Sequence, residues 1–258
     1  MVPIGAALVW FGWYGDGHGW WVHRPFVTNL LSSLTGLMFG IPLALFVLAR
    51  LSKDQADVND RADGCKQAEI AVNGFVAAWH TGVAPMGRSE RSNRLDEWRS
   101  AATYVRRQAE ETWPQDHDAR RQMARELYEA VEERNTARDA ALDTNDRQVW
   151  ITLILQQWQR IDRDLQPRLV RAGLPWLSAS ADVALRNAFS VLEKTTFESA
   201  LLSKMRGADL FKPPYVPDSD EHAKAGQILV AEAIPEIAAA RALKEIVQHF
   251  EDIEGLAP

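Results

Sequence analysis

The sequence predicts an all-α fold in which an N-terminal membrane segment is followed by a soluble helical bundle. The first observation is that residues 25–49 contain no charged side chain, a length that few buried helices of soluble proteins reach. The second is that apolar residues recur at helical spacing through most of the remaining chain, with no alternating β pattern of any length. We therefore divide the chain into a membrane anchor, residues 1–52, and a helical domain, residues 53–258.

The first element is a short apolar segment, residues 2–14. At a rise of about 1.5 Å per residue it would reach roughly 20 Å, less than the roughly 30 Å of a bilayer core. It either lies in the membrane interface or is the remainder of a longer first helix that starts upstream. We favour the second interpretation, because a hairpin with both ends in the cytoplasm agrees with the flanking charges.

An aromatic and glycine-rich loop, residues 15–24, follows this segment. Aromatic side chains in and beside it are typical of anchors at a membrane face; they are Trp10, Trp13, Tyr14, Trp20 and Trp21. Asp16, His18 and His23 are candidates for a small metal site, because carboxylate and imidazole groups are common ligands. Glycine-flanked segments of this kind are more often plain polar turns, so we expect no cofactor here.

Residues 25–50 are predicted to form one transmembrane helix. Its uncharged part would reach roughly 37 Å, enough to span the hydrocarbon core with some tilt, and Pro42 should kink it. A secretory signal peptide fits less well, because Met1 is followed directly by apolar residues and no small-residue cleavage site follows Ala49.

One face of this helix carries only small side chains, at a spacing of four residues: Ser32, Gly36, Gly40 and Ala44. Such a face lets another helix backbone approach closely in lipid. The partner would be residues 2–14 or a second copy of the chain. The alternative is chance, because small residues are common in membrane helices and in this alanine-rich sequence.

Basic residues predict the orientation of the helix. Arg50, Lys53, Arg61 and Lys66 follow it, whereas Arg24 stands alone before it. By the positive-inside bias, the helical domain faces the cytoplasm. The 22 arginines outnumber the seven lysines, which suggests a bacterial chain and hence the inner membrane.

A heptad pattern follows the membrane helix: Val58, Ala62, Cys65, Val72, Val76 and Trp79, interrupted only by Glu69. It predicts either a dimer seam of coiled-coil type or a helix that packs within its own bundle. Beyond it, Arg88, Arg91 and Arg94 lie in a loop rich in serine and glycine, where they could contact anionic lipid.

Five further helices and a linker are predicted from periodicity, caps and prolines. The helices cover residues 92–113, 116–142, 146–172 and 181–205, and a last one, interrupted at Pro235, covers 219–254. The helix at residues 116–142 should be largely solvated, and the first half of the helix at residues 146–172 should lie at the centre of the core. Pro167 should kink the third helix, and residues 211–217 are a proline-rich linker.

The sequence offers no catalytic motif. It contains no phosphate-binding loop, no nucleophilic serine elbow and no paired-histidine metal helix. Cys65 is the only cysteine, so no intramolecular disulfide or cysteine-based metal site forms. The chain has a net charge of −6, and the excess of acidic residues is spread evenly along the helical domain, which argues against nucleic acid as a partner.

These observations favour a membrane-anchored, non-enzymatic helical protein that presents an interaction or scaffold module. Its expected partners are the lipid bilayer, a second copy and an unidentified protein. The alternative is a membrane-tethered enzyme whose dispersed groups converge on a metal or an acid–base site. A cluster formed by His80, His117, His222 or His249 with carboxylates would favour that alternative.

Overall fold

The computed structural model of the chain describes residues 2–20, 25–83, 85–144, 146–195, 211 and 218–257. Within these ranges every regular element is a helix and no strand occurs, which confirms the all-α prediction. The chain divides into two compact units, Met1–Ala62 and Asp63–Pro258. Helix α2 contributes residues to both units.

The first unit contains α1, Val2–Gly17, and the beginning of α2, Pro25–His80. α1 ends in a tight hydrogen-bonded turn: the Gly19 N–H bonds to the Asp16 carbonyl, and the Trp20 N–H bonds to the Gly15 carbonyl. This pairing requires a left-handed residue after the helix, and Gly19 supplies it with a φ of 68°. The glycine-rich loop is therefore, in this part, a helix C-cap.

Helix α2 is longer than the predicted transmembrane helix. It runs without a break from Pro25 to His80, with Pro42 inside it, and so includes the heptad segment. Gly64 and Gly74 lie inside α2 and face side chains of other elements. A Cβ atom on Gly64 would lie 3.1 Å from Leu174 Cδ1, and one on Gly74 would lie 2.9 Å from Gln157 Oε1.

Seven further helices lie within the described part of the second unit: α3 Arg88–Ala109, α4 His117–Ala141, α5 Arg147–Gln159, α6 Gln166–Arg171, α7 Ala179–Lys194, α8 Ser219–Gln248 and α9 Phe250–Glu254. They fall where the periodicity placed helices, with boundaries shifted by a few residues. The predicted continuation of α7 to residue 205 lies outside the described residues. So does the linker, apart from Phe211.

Side-chain caps explain where several helices begin. Asp116 accepts a hydrogen bond from the Ala119 N–H at the start of α4, and Asp146 accepts one from the Val149 N–H at the start of α5. Asp218 accepts from the Glu221 N–H, while the Glu221 carboxylate accepts from the Asp218 N–H. This reciprocal capping box satisfies amide groups that the first turn of α8 leaves free.

A π-helical segment, Arg160–Leu165, separates α5 from α6 at the place where a proline kink was expected. The Gln166 N–H bonds to the Ile161 carbonyl, five residues back. The wider turn accommodates Pro167, which has no N–H and whose ring would clash with a carbonyl one α-turn earlier. Pro235, in contrast, lies inside α8 without ending it, so the predicted interruption is wrong.

The buried apolar residues form two clusters. The larger one joins the second half of α2 to α5, α7, the end of α8 and α9. There Phe75 packs edge-on against Phe189, with ring centroids 5.9 Å apart, and Trp79 packs against Trp150 at 5.8 Å. The smaller cluster joins the end of α3, the first half of α4, the start of α8 and Phe211. Helices α3, α4 and α8 pass through both clusters.

The larger cluster confirms that α5 lies in the core, although not on all sides. Trp150, Ile151, Ile154 and Trp158 are buried, whereas Val149 is exposed. The indole N–H of Trp150 donates to the Ala78 carbonyl at 3.0 Å. This hydrogen bond fixes α5 against the end of α2.

Candidate functional site

The first unit exposes an unusually apolar surface. Among the described residues, α2 is the one helix long and apolar enough to cross a membrane, judged by length and composition alone. No residue of its most apolar 18-residue window is buried. Phe26 is 77 % exposed and Leu43 is 65 % exposed. Soluble proteins rarely expose large contiguous apolar surfaces.

Aromatic rings gather at the end of α1. Trp10 stacks on Tyr14 with ring centroids 5.5 Å apart, and Trp20 meets Tyr14 edge-on at 5.8 Å. The His18 ring lies 4.3 Å from the Tyr14 ring. These rings remain largely exposed, as in side chains that lie at a lipid headgroup layer. Trp21 lies outside the described residues.

The structure describes two of the three candidate metal ligands of this loop, Asp16 and His18. His18 Nδ1 lies 2.9 Å from the Tyr14 carbonyl, one turn back in its own helix. Asp16 is exposed, and His23 lies outside the described residues. Across the part of the chain that the structure describes, no group of three or more His, Cys, Asp or Glu side chains is placed to hold a metal ion.

The small-residue face of α2 is open. A Cβ atom built on Gly36 or on Gly40 would meet no atom within 4 Å, and Ser32 and Ala44 are exposed. No described part of the chain therefore fills the space beside these two glycines. A second helix could approach there without a clash.

The heptad segment of α2 changes character along its length. Val58 and Ala62 are exposed and Cys65 is half-buried, but Val72 and Trp79 are buried in the chain's own core. Val76 packs against the same core. The proposed dimer seam therefore fails at Val72 and Trp79, where α2 packs within its own bundle. Only the segment from Val58 to Cys65 stays available to a second copy.

The three arginines near the start of α3 have partners within the chain. Arg88 Nη1 lies 3.1 Å from Glu251 Oε2, and Arg94 Nη1 lies 3.1 Å from Glu97 Oε2. Arg91 is buried and donates to the Met86 carbonyl at 3.0 Å. Burial lowers the pKa of Arg91, against the opposing effect of Glu254. These contacts offer a structural role for residues that the sequence suggested as lipid contacts.

The four histidines of the helical domain have separate surroundings. His80 is exposed beside Phe250, with ring centroids 6.3 Å apart. His117 is exposed on α4, and His249 Nδ1 lies 2.8 Å from Asp252 Oδ2. His222 is buried against Trp113. Within the described residues, no cluster of carboxylates joins two of these histidines. The alternative of an enzyme whose dispersed groups converge on one site therefore has no described cluster in its support.

The most unusual chemical feature of the helical domain is a buried charged cluster between α3, α4 and α8. We call it the polar layer; it comprises Trp98, Arg134, Arg138, Glu232 and Glu236. The exposed fraction is 1 % for Arg134 and 2 % for Arg138. Charged side chains are buried this fully only when they are paired.

Glu236 is the centre of the polar layer. Its Oε1 accepts from Arg138 Nη1 at 2.9 Å, and its Oε2 accepts from the Trp98 indole N–H at 3.1 Å. Arg134 Nε lies 3.7 Å from the same Oε2, and Arg134 Nη1 lies 3.5 Å from Glu232 Oε2. One carboxylate therefore ties α8 to both α3 and α4.

The charged network continues toward the start of α5. Arg138 Nε lies 3.5 Å from Asp139 Oδ1, and Arg147 pairs with the same carboxylate. Burial lowers the pKa of Arg147, and the neighbouring Arg138 lowers it further. The Nε groups of Arg134, Arg138 and Arg147 are buried without a hydrogen-bond partner. The layer is therefore rich in donors.

The polar layer lies between the two apolar clusters. On α4, Leu127 and Val131 belong to the smaller cluster and Ala141 to the larger one, with Arg134 and Arg138 between them. On α8, Leu229 and Leu243 flank Glu232 and Glu236 in the same way. Helices α4 and α8 thus each carry a charged layer between two apolar ones, and Trp98 of the larger cluster joins α3 to that layer.

This layer was not predicted from the sequence, because α4 was expected to be largely solvated. A usable signal was present: Arg134 and Arg138 continue the apolar face of Leu127 and Val131 at spacings of three and four residues. Glu232 and Glu236 continue the buried face of α8 in the same way. Paired charges of opposite sign on two apolar faces indicate an interhelical network.

Comparison with protein-family models, with curated proteins and with solved structures gives no match for this chain.

Proposed function

We propose that the chain is a membrane-anchored, non-enzymatic protein whose helical bundle serves as an interaction or scaffold module. The observation that carries this proposal is the exposed apolar surface of α2, of which no residue in the most apolar window is buried. A bilayer would cover such a surface at no hydration cost, whereas water would not. A core helix of a soluble protein would be mostly buried.

Continuity of α2 supports an anchor over a cleaved leader. Residues 25–80 form one helix, and Phe75 and Trp79 at its end are fully buried in the bundle core. Leader peptides are cut after a small-residue site that follows the apolar region. A cut after Ala49 would have to open the middle of this helix. The same backbone would therefore both cross the bilayer and hold the bundle together.

We propose the inner membrane, with the bundle in the cytoplasm, and a second copy of the chain as partner. The orientation rests on Arg50, Lys53, Arg61 and Lys66. Self-association rests on the open space beside Gly36 and Gly40 and on the exposed segment from Val58 to Cys65. A further protein partner would bind the bundle.

Cys65 tests the anchor and its orientation together, because it is the only cysteine. In untreated, sealed right-side-out vesicles, a membrane-impermeant maleimide should label Cys65 only after detergent is added, and in a separate sample the chain should stay with the membranes through an alkaline carbonate wash. Inside-out vesicles should be labelled without detergent. Labelling of intact right-side-out vesicles would contradict the orientation, and loss of the chain during the wash would contradict the anchor.

Mild oxidation of the same vesicles tests the second copy. A parallel pair through Val58 and Cys65 should give a Cys65–Cys65 crosslinked dimer. A monomer alone, with Cys65 shown to react with maleimide, would contradict self-association through this face.

A further inference from the structure

A buried histidine holds the start of α8 and Phe211 against the end of α3. The His222 ring stacks on the Trp113 ring, with centroids 3.8 Å apart and planes inclined by 20°. The Phe211 ring meets the His222 ring edge-on, with centroids 6.0 Å apart and planes inclined by 77°. His222 is 4 % exposed and Phe211 is 0 % exposed. The imidazole therefore acts as an aromatic packing group.

The polar atoms of this stack are unsatisfied. His222 Nε2 and Trp113 Nε1 are both buried without a hydrogen-bond partner. A neutral imidazole carries one N–H donor, one acceptor nitrogen and no charge. An imidazolium carries two N–H donors and a full charge, and it would lose its hydration here without compensation. Burial accordingly lowers the pKa of His222 from 6.5.

No nearby carboxylate offsets this cost. Charged or titratable groups on the elements around the ring include Asp218, Asp220, Glu221 and Lys224 at the start of α8, Glu110 and Glu111 after α3, and Arg120 and Tyr128 on α4, and none of them contributes to the pKa shift of His222. Asp218 and Glu221 cap the helix, and Glu110 pairs with Arg106 at 3.0 Å. Burial is the one cause of the pKa shift of His222.

We propose that His222 is an acid-sensitive latch: the neutral ring holds Phe211 and the first turns of α8 in the smaller apolar cluster, and protonation releases them. Phe211 reaches this cluster from the proline-rich segment, and Ala225 and Leu229 of α8 belong to it too. The Trp113 ring attracts an imidazolium by less than the hydration that the buried charge loses, so protonation favours release of His222 to water, which uncovers Phe211. The larger cluster contains none of these residues and should stay closed.

The direction of the pH effect follows from linkage. The opened state binds a proton with an ordinary histidine pKa of 6.5, whereas the closed state binds it only at lower pH. The closed state is therefore fully favoured above pH 6.5. Its stability falls as the pH drops from 6.5 to the lowered pKa of His222 in the closed state. Within that window the opening equilibrium constant rises by up to about tenfold per pH unit.

Hydrogen exchange of the full chain in detergent tests the latch at pH 7.5 and 5.5, after correction for the intrinsic exchange rate. Amides of residues 218–229 should open more at pH 5.5, by up to about tenfold, while amides of α5 and α7 should not change. The variant His222→Phe keeps the aromatic stack and should show no pH effect. His117→Phe, at an exposed site, should behave like the unmodified chain.

Three results would overturn the proposal. The first is an opening of residues 218–229 that does not depend on pH in the unmodified chain. The second is an equal rise in α5 and α7, which would indicate general acid unfolding. The third is independent of any variant: a nuclear magnetic resonance titration of the His222 ring that gives a pKa at or above 6.5.

Discussion

At the scale of single residues, the fold depends on charges placed where apolar side chains are expected. Arg134 and Arg138 are as buried as the leucines around them, and Glu236 receives donors from two other helices. Removing one partner of a buried pair leaves the other charge in a medium that solvates it poorly. The loss of stability therefore comes more from the arginine that is left unpaired than from the lost contact itself.

We predict that Glu236→Leu destabilises the bundle by about 3–5 kcal/mol, because Arg138 and Arg134 lose their main carboxylate. Glu97→Leu is the matched control: Glu97 is exposed on α3 and pairs with Arg94, so the loss should stay below about 1 kcal/mol. Urea unfolding of the full chain in detergent measures both. Equal losses would show that the polar layer contributes no more than a surface pair.

At the scale of elements, the polar layer sets how α3, α4 and α8 align. A shift of α8 by one turn along its axis would move Glu232 or Glu236 among the apolar side chains of a cluster and would leave the two arginines of α4 with a single carboxylate. The two apolar clusters alone would tolerate such a shift more easily, since hydrophobic contacts are not directional.

Close packing between α8 and α3 leads to a prediction at Gly226. A Cβ atom there would lie 2.8 Å from the Ala109 carbonyl oxygen, which belongs to the backbone and cannot move alone. Gly226→Ala should therefore destabilise the bundle by about 1–3 kcal/mol, less the gain of roughly 1 kcal/mol in helix propensity.

Gly64→Ala is the control for Gly226→Ala. It also lies inside a helix, but its Cβ would meet the mobile tip of Leu174, so it should be neutral or stabilising. Thermal unfolding of the two variants measures the difference. A stabilisation of similar size in both would contradict the close approach of α8 to α3.

The sequence predicted elements better than contacts. Helix periodicity located α3 to α8 because each buries an apolar face, and Asp116 marked the start of α4 through a local hydrogen bond. The stack of His222 on Trp113 was not predictable, because it joins residues 109 positions apart. Pro235 was misjudged as a break, since surrounding contacts hold α8 together across it, whereas Pro167 is accommodated by a π-helical turn.

At the scale of the whole molecule, one helix links the proposed anchor to the bundle. The exposed apolar side chains of α2 lie almost entirely before residue 52, and its buried ones lie after residue 67. A single element thus carries two surfaces suited to different surroundings. This division was predicted from the uncharged run, but the continuation of the helix to His80 needed the structure.

The most direct test of membrane anchoring is flotation of alkaline-washed membranes in a density gradient. We expect the unmodified chain to float with lipid. Leu37→Arg with Leu45→Arg should reduce the floating fraction, because arginine inside the bilayer costs about 2.5–3.5 kcal/mol per residue on insertion scales. Val58→Arg with Ile70→Arg, at exposed apolar sites of the same helix beyond the uncharged run, should not. An unmodified chain that stays at the bottom of the gradient, or equal flotation of the two variants, would contradict the account.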